Sequence, residues 1–390
     1  MRITLIAGLL CALACSAAVA QSAPNDITTH YRAYRTALDR GDVSTAEAEA
    51  AAALAASEAR DGDGGRTGVL AVNLASVHLM RNDAAGALAP AQRASALAAA
   101  GAHGLDPAYA DMTLGLAELG TSGRPGAQRL RALLADRDLT HISQTDLYDA
   151  ASKLGLWSMQ QRDFDLAEWT WSFAEGHGAG SAFGEDFGVA NARTWEAAAI
   201  LYKEIGHYGS GDISSARATE GYRLLGNAIT VLRPLAGVDA PNFELTVAQD
   251  AFAQALALRG AYTAKLIADN RPLPRDQVAE GDADGATELR GPVNLALPRC
   301  LVNWVQTPKP HFPERQLHNL QMASVVIRLH VDANGHVVES RTVAHIGNDE
   351  FVAAVEHVAP RWRVERRDDS PANCRMEATL LSRVMFVIAG

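Results

Sequence analysis

Ala323-Ser-Val-Val-Ile-Arg-Leu-His-Val331, then Asp332-Ala-Asn-Gly335, then His336-Val-Val-Glu-Ser-Arg-Thr-Val343, decide how the C-terminal part of this chain folds. Val325, Ile327, Leu329 and Val331 alternate with Ser324, Val326, Arg328 and His330. A period of two is that of a strand with one face on a core. Asn334-Gly335 tolerates positive φ and reverses the chain into a second strand. Asn348 is a good N-cap ahead of Asp349 and Glu350, whose charges suit a helix N-terminus. Phe351, Val355 and Val358 share one face of that helix, and Pro360 ends it. Alternation returns from Met376 to Ile388. The expected order is β-β-α-β, with the helix across one side of a three-stranded sheet.

In order and spacing these elements resemble the C-terminal domain of TonB, over about a quarter of the chain. Phe312-Pro313 stands where that family has Tyr-Pro, keeping the ring and losing the hydroxyl. Asp332 to Gly335 matches its turn, Phe351 the ring before an alanine-rich helix, and Trp362-Arg-Val364 its Trp-x-Val. The resemblance implies a binding module and not a catalyst. In the family the last strand takes a short peptide near the N-terminus of an outer-membrane receptor. The resemblance therefore makes 376–388 the docking edge, by strand addition to unpaired N–H and C=O groups. Its outward set is either Met376, Ala378, Leu380 or Glu377, Thr379, Leu381, and the pattern leaves both open. Pairing of this edge with a second copy, giving a homodimer, is the equal alternative.

The chain has 390 residues, room for two or three domains. Arg2, the apolar run Ile3 to Ala17 and Ala18-Val19-Ala20 read as a cleavable signal peptide over 1–20, which implies export to the periplasm. Leu13-Ala14-Cys15 offers a second reading as a lipidation site. TonB itself carries an N-terminal membrane anchor; with a cleavable signal in its place, this chain is not expected to transduce energy alone. No later stretch approaches the roughly 20 apolar residues of a spanning helix. Cys300 and Cys374 remain beyond the signal, and in an oxidising compartment an even pair predicts a disulfide, two buried thiols being the alternative. The formal net charge of −10 is uneven: −12 over 21–291 against +1 from Pro292 onward. An acidic first part argues against nucleic acid.

From Asp26 to about Leu266 apolar residues recur at three and four positions, a helical period. Arg40-Gly-Asp-Val-Ser-Thr-Ala46 aligns with Arg81-Asn-Asp-Ala-Ala-Gly-Ala87 and Gln161-Arg-Asp-Phe-Asp-Leu-Ala167, and Gly123-Arg-Pro-Gly-Ala127 is a weaker copy. The marker alanines 46, 87, 127 and 167 lie at a nearly constant spacing, which predicts stacked helical hairpins. These units resemble a lengthened tetratricopeptide repeat without its large aromatic and closing proline. An ordinary helical bundle is the alternative. Gly176 to Gly180 and the glycines of 206–211 lack the strand and lysine of a phosphate cradle and read as inter-repeat loops. Helices follow near 213–233 and 242–268.

The organisation expected is a signal at 1–20, a helical repeat domain at 26–268, a linker at 269–297 rich in Pro, Gly and acidic residues, and a TonB-like domain at 298–390. The fold class is α+β. A non-enzymatic adaptor with no cofactor and no metal is the leading expectation, bound to an outer-membrane receptor or another envelope protein. The six histidines 311, 318, 330, 336, 345 and 357 scatter over different elements, and only His330 and His336 could meet across the hairpin. A self-associating scaffold is a second expectation. A third is an enzyme with its site near Trp169, Trp171 and Trp195, for which His177 and His207 are the available bases.

Overall fold

The computed structural model describes residues 26–136, 138–204, 215–236, 243–268, 271, 286–289, 300–318 and 323–386. The expected signal segment, Cys15, the glycines of 206–211 with His207, and most of the linker lie outside them. The chain divides into two compact units, Met1–Leu139 and Thr140–Gly390. The division falls within the helical region, so the later helices share a unit with the sheet, whereas the composition shift points to 269–297.

The first unit holds α1 (Asp26–Asp39), α2 (Val43–Asp61), α3 (Gly65–Met80), α4 (Ala84–Ala99), α5 (Pro107–Thr121) and α6 (Arg124–Leu134). The second opens with α7 (Gln144–Gln161) and α8 (Phe164–Gly176). Each hairpin turn is built alike. A residue at positive φ reverses the chain: Gly41 at 70°, Asn82 at 57°, Gly123 at 67° and Arg162 at 59°. In three of the four an aspartate follows and caps the next helix. Asp42 accepts from the N–H of Thr45, Asp83 from Gly86 and Asp163 from Leu166. Such caps satisfy amides that the first helical turn leaves unpaired. Ala46, Ala87, Ala127 and Ala167 are all buried, and their small side chains let the two helices of each pair approach.

The second unit continues with a short 3-10 turn at Gly178–Gly180, then α9 (Glu185–Glu204), α10 (Ala216–Ala236) and α11 (Phe243–Ala268). The glycines here serve close packing. A Cβ on Gly180 would lie 2.0 Å from the carbonyl oxygen of Gln144, and one on Gly178 2.5 Å from Val189. The turn is thus a packing device between α7 and α9, as an inter-repeat loop should be.

After α11 come β1 (Ala286–Leu289), β2 (Val302–Gln306), α12 (Glu314–His318), β3 (Ala323–Val331), β4 (Val337–Ile346), α13 (Asp349–Val358), β5 (Arg363–Arg366) and β6 (Ala378–Phe386). The main sheet is antiparallel in the order β1-β6-β3-β4, and β2 pairs separately with β5. The expected β-β-α-β order is present, enlarged by β1 and the small ribbon. Asn348 caps α13 by accepting from the N–H of Glu350. Phe351, Val355 and Val358 of α13 are buried on Val325, Ile327, Leu329 and Val331.

The opposite face of the sheet is also covered. Val326 and Ala344, with Val343 and Ile346, join the core formed by α9, α10 and α11. Alternation alone left this face to solvent. The run Val325-Val326-Ile327 is the sequence sign of a strand buried on both sides. Gly260 of α11 permits the contact, since a Cβ there would lie 2.1 Å from Ser324 Oγ and 2.9 Å from Arg383 Cδ.

Candidate functional site

The strand expected to present a free rim is internal. β3 pairs with β6 along its whole length, and on the other side β1 pairs with Thr379 to Ser382 in antiparallel register, Thr287 opposite Leu381. This corrects the expectation of an open edge at Thr379, Leu380 and Leu381, which β1 covers; Ala378 lies before the β1 register, and Met376 and Glu377 precede β6. The unpaired amides that make an edge reactive are here satisfied by a four-residue strand of the chain's own linker. The β1 register covers Thr379 to Ser382 and stops there. The facing of β6 is settled by burial. Ala378 and Leu380 lie in the core under α13, with Met376 packed against it, while the Glu377 carboxylate stands 3.6 Å from His330 Nε2.

The remaining edge, β4, is blunted. Its pairing with β3 is interrupted by two irregularities, near Val343 and near Val338. Its Thr342 N–H donates to Glu356 Oε1 of α13, and at its start Val337 N–H donates to the Trp362 carbonyl. Bulges and charged neighbours such as Glu339 and Arg341 are the usual devices that keep an edge from pairing.

The residues that carry the family resemblance organise this domain. Phe312, beside Pro313, meets Phe351 at 5.4 Å and Phe386 at 5.6 Å between ring centroids. Gly335 has φ of 81°, and a Cβ there would lie 2.0 Å from the Val364 carbonyl. Asp332 accepts from the N–H groups of Asn334 and His336, which holds its carboxyl below the usual range. Trp362 is buried, its Nε1–H donating to the Pro308 carbonyl at 3.1 Å. Cys300 and Cys374 form the expected disulfide, with Cα atoms 4.9 Å apart.

The histidines do not converge. His330 faces Glu339 in the strand register, His336 lies by Asp332, and His345 by Asp349. Among the described residues no group of three or more His, Cys, Asp or Glu side chains is placed to hold a metal. No helix among them is long and apolar enough to cross a membrane.

A cavity of about 840 Å³ lies in the second unit, between its helices and the sheet. α7 contributes Tyr148 and Asp149, α8 Trp171, and α9 Phe187, Asn191 and Trp195. Phe183 closes it from the loop, Gln254 from α11, and Arg328, Arg341 and Thr342 from β3 and β4. Tyr148 is fixed by donating to the Gly188 carbonyl and accepting from Asn191 Nδ2, both at 3.3 Å, and burial raises its hydroxyl's pKa. Trp171 stacks on Trp195 with centroids 6.0 Å apart. Two of the three tryptophans noticed in the sequence thus line one cavity, while Trp169 pairs with Phe173 instead. His177 does not line it: its Nδ1 meets the Phe173 carbonyl and its ring stacks on Phe173. Nothing in the sequence marks Arg328, Arg341 and Gln254 as neighbours, because their elements meet only in the folded unit.

No family model and no curated protein matches this chain. Among solved structures it is similar to one titled "Crystal structure of MamA protein", at 15% identity and a TM-score of 0.37, over 54% of this chain and 94% of that one.

Proposed function

We propose that this protein is a non-enzymatic interaction protein of the periplasm, in which the C-terminal sheet recruits an extended segment of an outer-membrane receptor or another envelope partner. The helical hairpins, which resemble tetratricopeptide repeats, hold a second partner or space the assembly. The observation that supports this reading is the outer side of β6. It already accepts an extended segment, and that segment is only four residues long against nine in β6. A longer partner strand in the same register would pair with more of β6 than the four residues β1 reaches. Main-chain hydrogen bonds give such strand addition its affinity. β1 is then a place-holder that keeps the edge from indiscriminate pairing.

The test is a reversible lock. Thr287→Cys with Leu381→Cys, at opposed positions, fixes β1 on β6, and a photoreactive side chain at Met385 reports partners in the cell. The reading expects an adduct that the lock abolishes and mild reduction restores. An adduct indifferent to the lock contradicts it, and one of twice the chain mass assigns the edge to self-association.

A further inference from the structure

We infer that the cavity between the helices and the sheet binds a small organic anion with a flat apolar body, such as an aromatic carboxylate, sulfonate or phosphate. The charge argument comes from the strand register. Arg328 and Arg341 stand directly opposite each other across β3 and β4, and both line the cavity. Like charges at opposed positions of a sheet repel, so an anion beside Arg341 lowers that repulsion. Arg341 has no ion pair among the described residues. The lining carboxylate, Asp149, is taken by Lys153 at 2.8 Å. Arg341 therefore brings an uncompensated positive charge to the wall facing the helices.

The opposite wall supplies flat apolar surface. Trp195, Phe183 and Phe187 lie there, and Trp195 is backed by the fully buried Trp171. A ring seated against them is held by area and by stacking. Two buried polar atoms of the lining, Trp171 Nε1 and Thr342 Oγ1, have no hydrogen-bond partner among the described residues. Buried donors without partners are uncommon in finished folds, and a ligand oxygen is one way to satisfy them. The size also fits, since ligand sites commonly enclose roughly 300–1,000 Å³. This site is separate from the β6 edge, so it stands or falls independently of the strand-addition reading.

Naphthalene-2-sulfonate is a suitable probe, with 2-naphthalenemethanol as its uncharged counterpart, titrated into the whole mature protein by calorimetry and tryptophan fluorescence. The expected result is one site, with the sulfonate bound roughly ten-fold or more tighter than the alcohol, as a charge-assisted bond implies. Arg341→Gln, at an exposed position, should bring the two probes to equal affinity, while Arg341→Lys retains part of the preference. Trp195→Ala should weaken both probes. Equal affinities in the parent protein, a preference that survives Arg341→Gln, or no binding at millimolar probe would each overturn the assignment.

Discussion

Replacing Gly260 by alanine sets two effects of known sign against each other. In a helix interior the exchange is favourable by about 1 kcal/mol, because glycine loses more backbone freedom on folding. Here the new methyl would stand 2.1 Å from Ser324 Oγ and 2.9 Å from Ser324 Cβ. The sheet or α11 must shift, and overpacking of a built core costs about 1–3 kcal/mol. The steric term wins, leaving a net loss of about 1 kcal/mol and a fall in melting temperature of roughly 2–4 °C for a unit this size. Ser324→Ala tests the same contact from the other side. Its hydroxyl is buried without a hydrogen-bond partner among the described residues, so its removal is expected to be neutral or slightly stabilising. In the double variant the loss from Gly260→Ala shrinks, since the nearest clashing atom is gone. Denaturant unfolding of the four proteins gives the coupling energy directly. A Gly260→Ala protein that gains the full helix-propensity increment, with no coupling to Ser324, would refute the docking of α11 on the sheet.

Glu196 carries a pH-dependent prediction. Burial, reinforced by the Glu175 and Glu168 charges against the opposing Arg217, pushes its carboxyl up to about 7. The fold thus favours the protonated form, and stability falls as pH rises from about 4.5 through 7. The full shift corresponds to roughly 3 kcal/mol; because the side chain is partly exposed, solvent screening reduces this to about 1–2 kcal/mol. Glu196→Gln should gain that amount at pH 8 and nothing at pH 4, read by denaturant titration at both pH values. Asp163→Ala removes the cap of α8 and should cost about 1 kcal/mol in thermal unfolding. Reducing Cys300–Cys374, or substituting Cys374→Ala, should destabilise the sheet by about 2–4 kcal/mol, since the bridge closes a long loop.

The hairpin turns were legible because each concentrates its signal in a few residues: a positive-φ position, an aspartate cap and an alanine. The β3 to α13 stretch was legible for the same reason, through Gly335, Asn348 and the alternating valines. Burial of the second sheet face was written only faintly, in Val326 and Gly260, whose meeting depends on how α11 comes to lie on the strand. β1 is four residues, Ala286-Thr-Glu-Leu289, in an acidic and glycine-rich stretch with too little alternation to mark a strand. The cavity had no local signature at all. Its lining runs from Thr145 to Val343, and each residue by itself reads as ordinary helix or strand surface.

The claim that matters most is that β1 holds its place on β6 only weakly. Native-state hydrogen exchange of the whole protein measures this without a partner. Amides of Ala286 to Leu289 are expected to exchange by local opening, at a free energy well below that of β3, while β3 follows global unfolding. Protection of β1 equal to that of β3 would make the four strands one inseparable sheet and contradict the account.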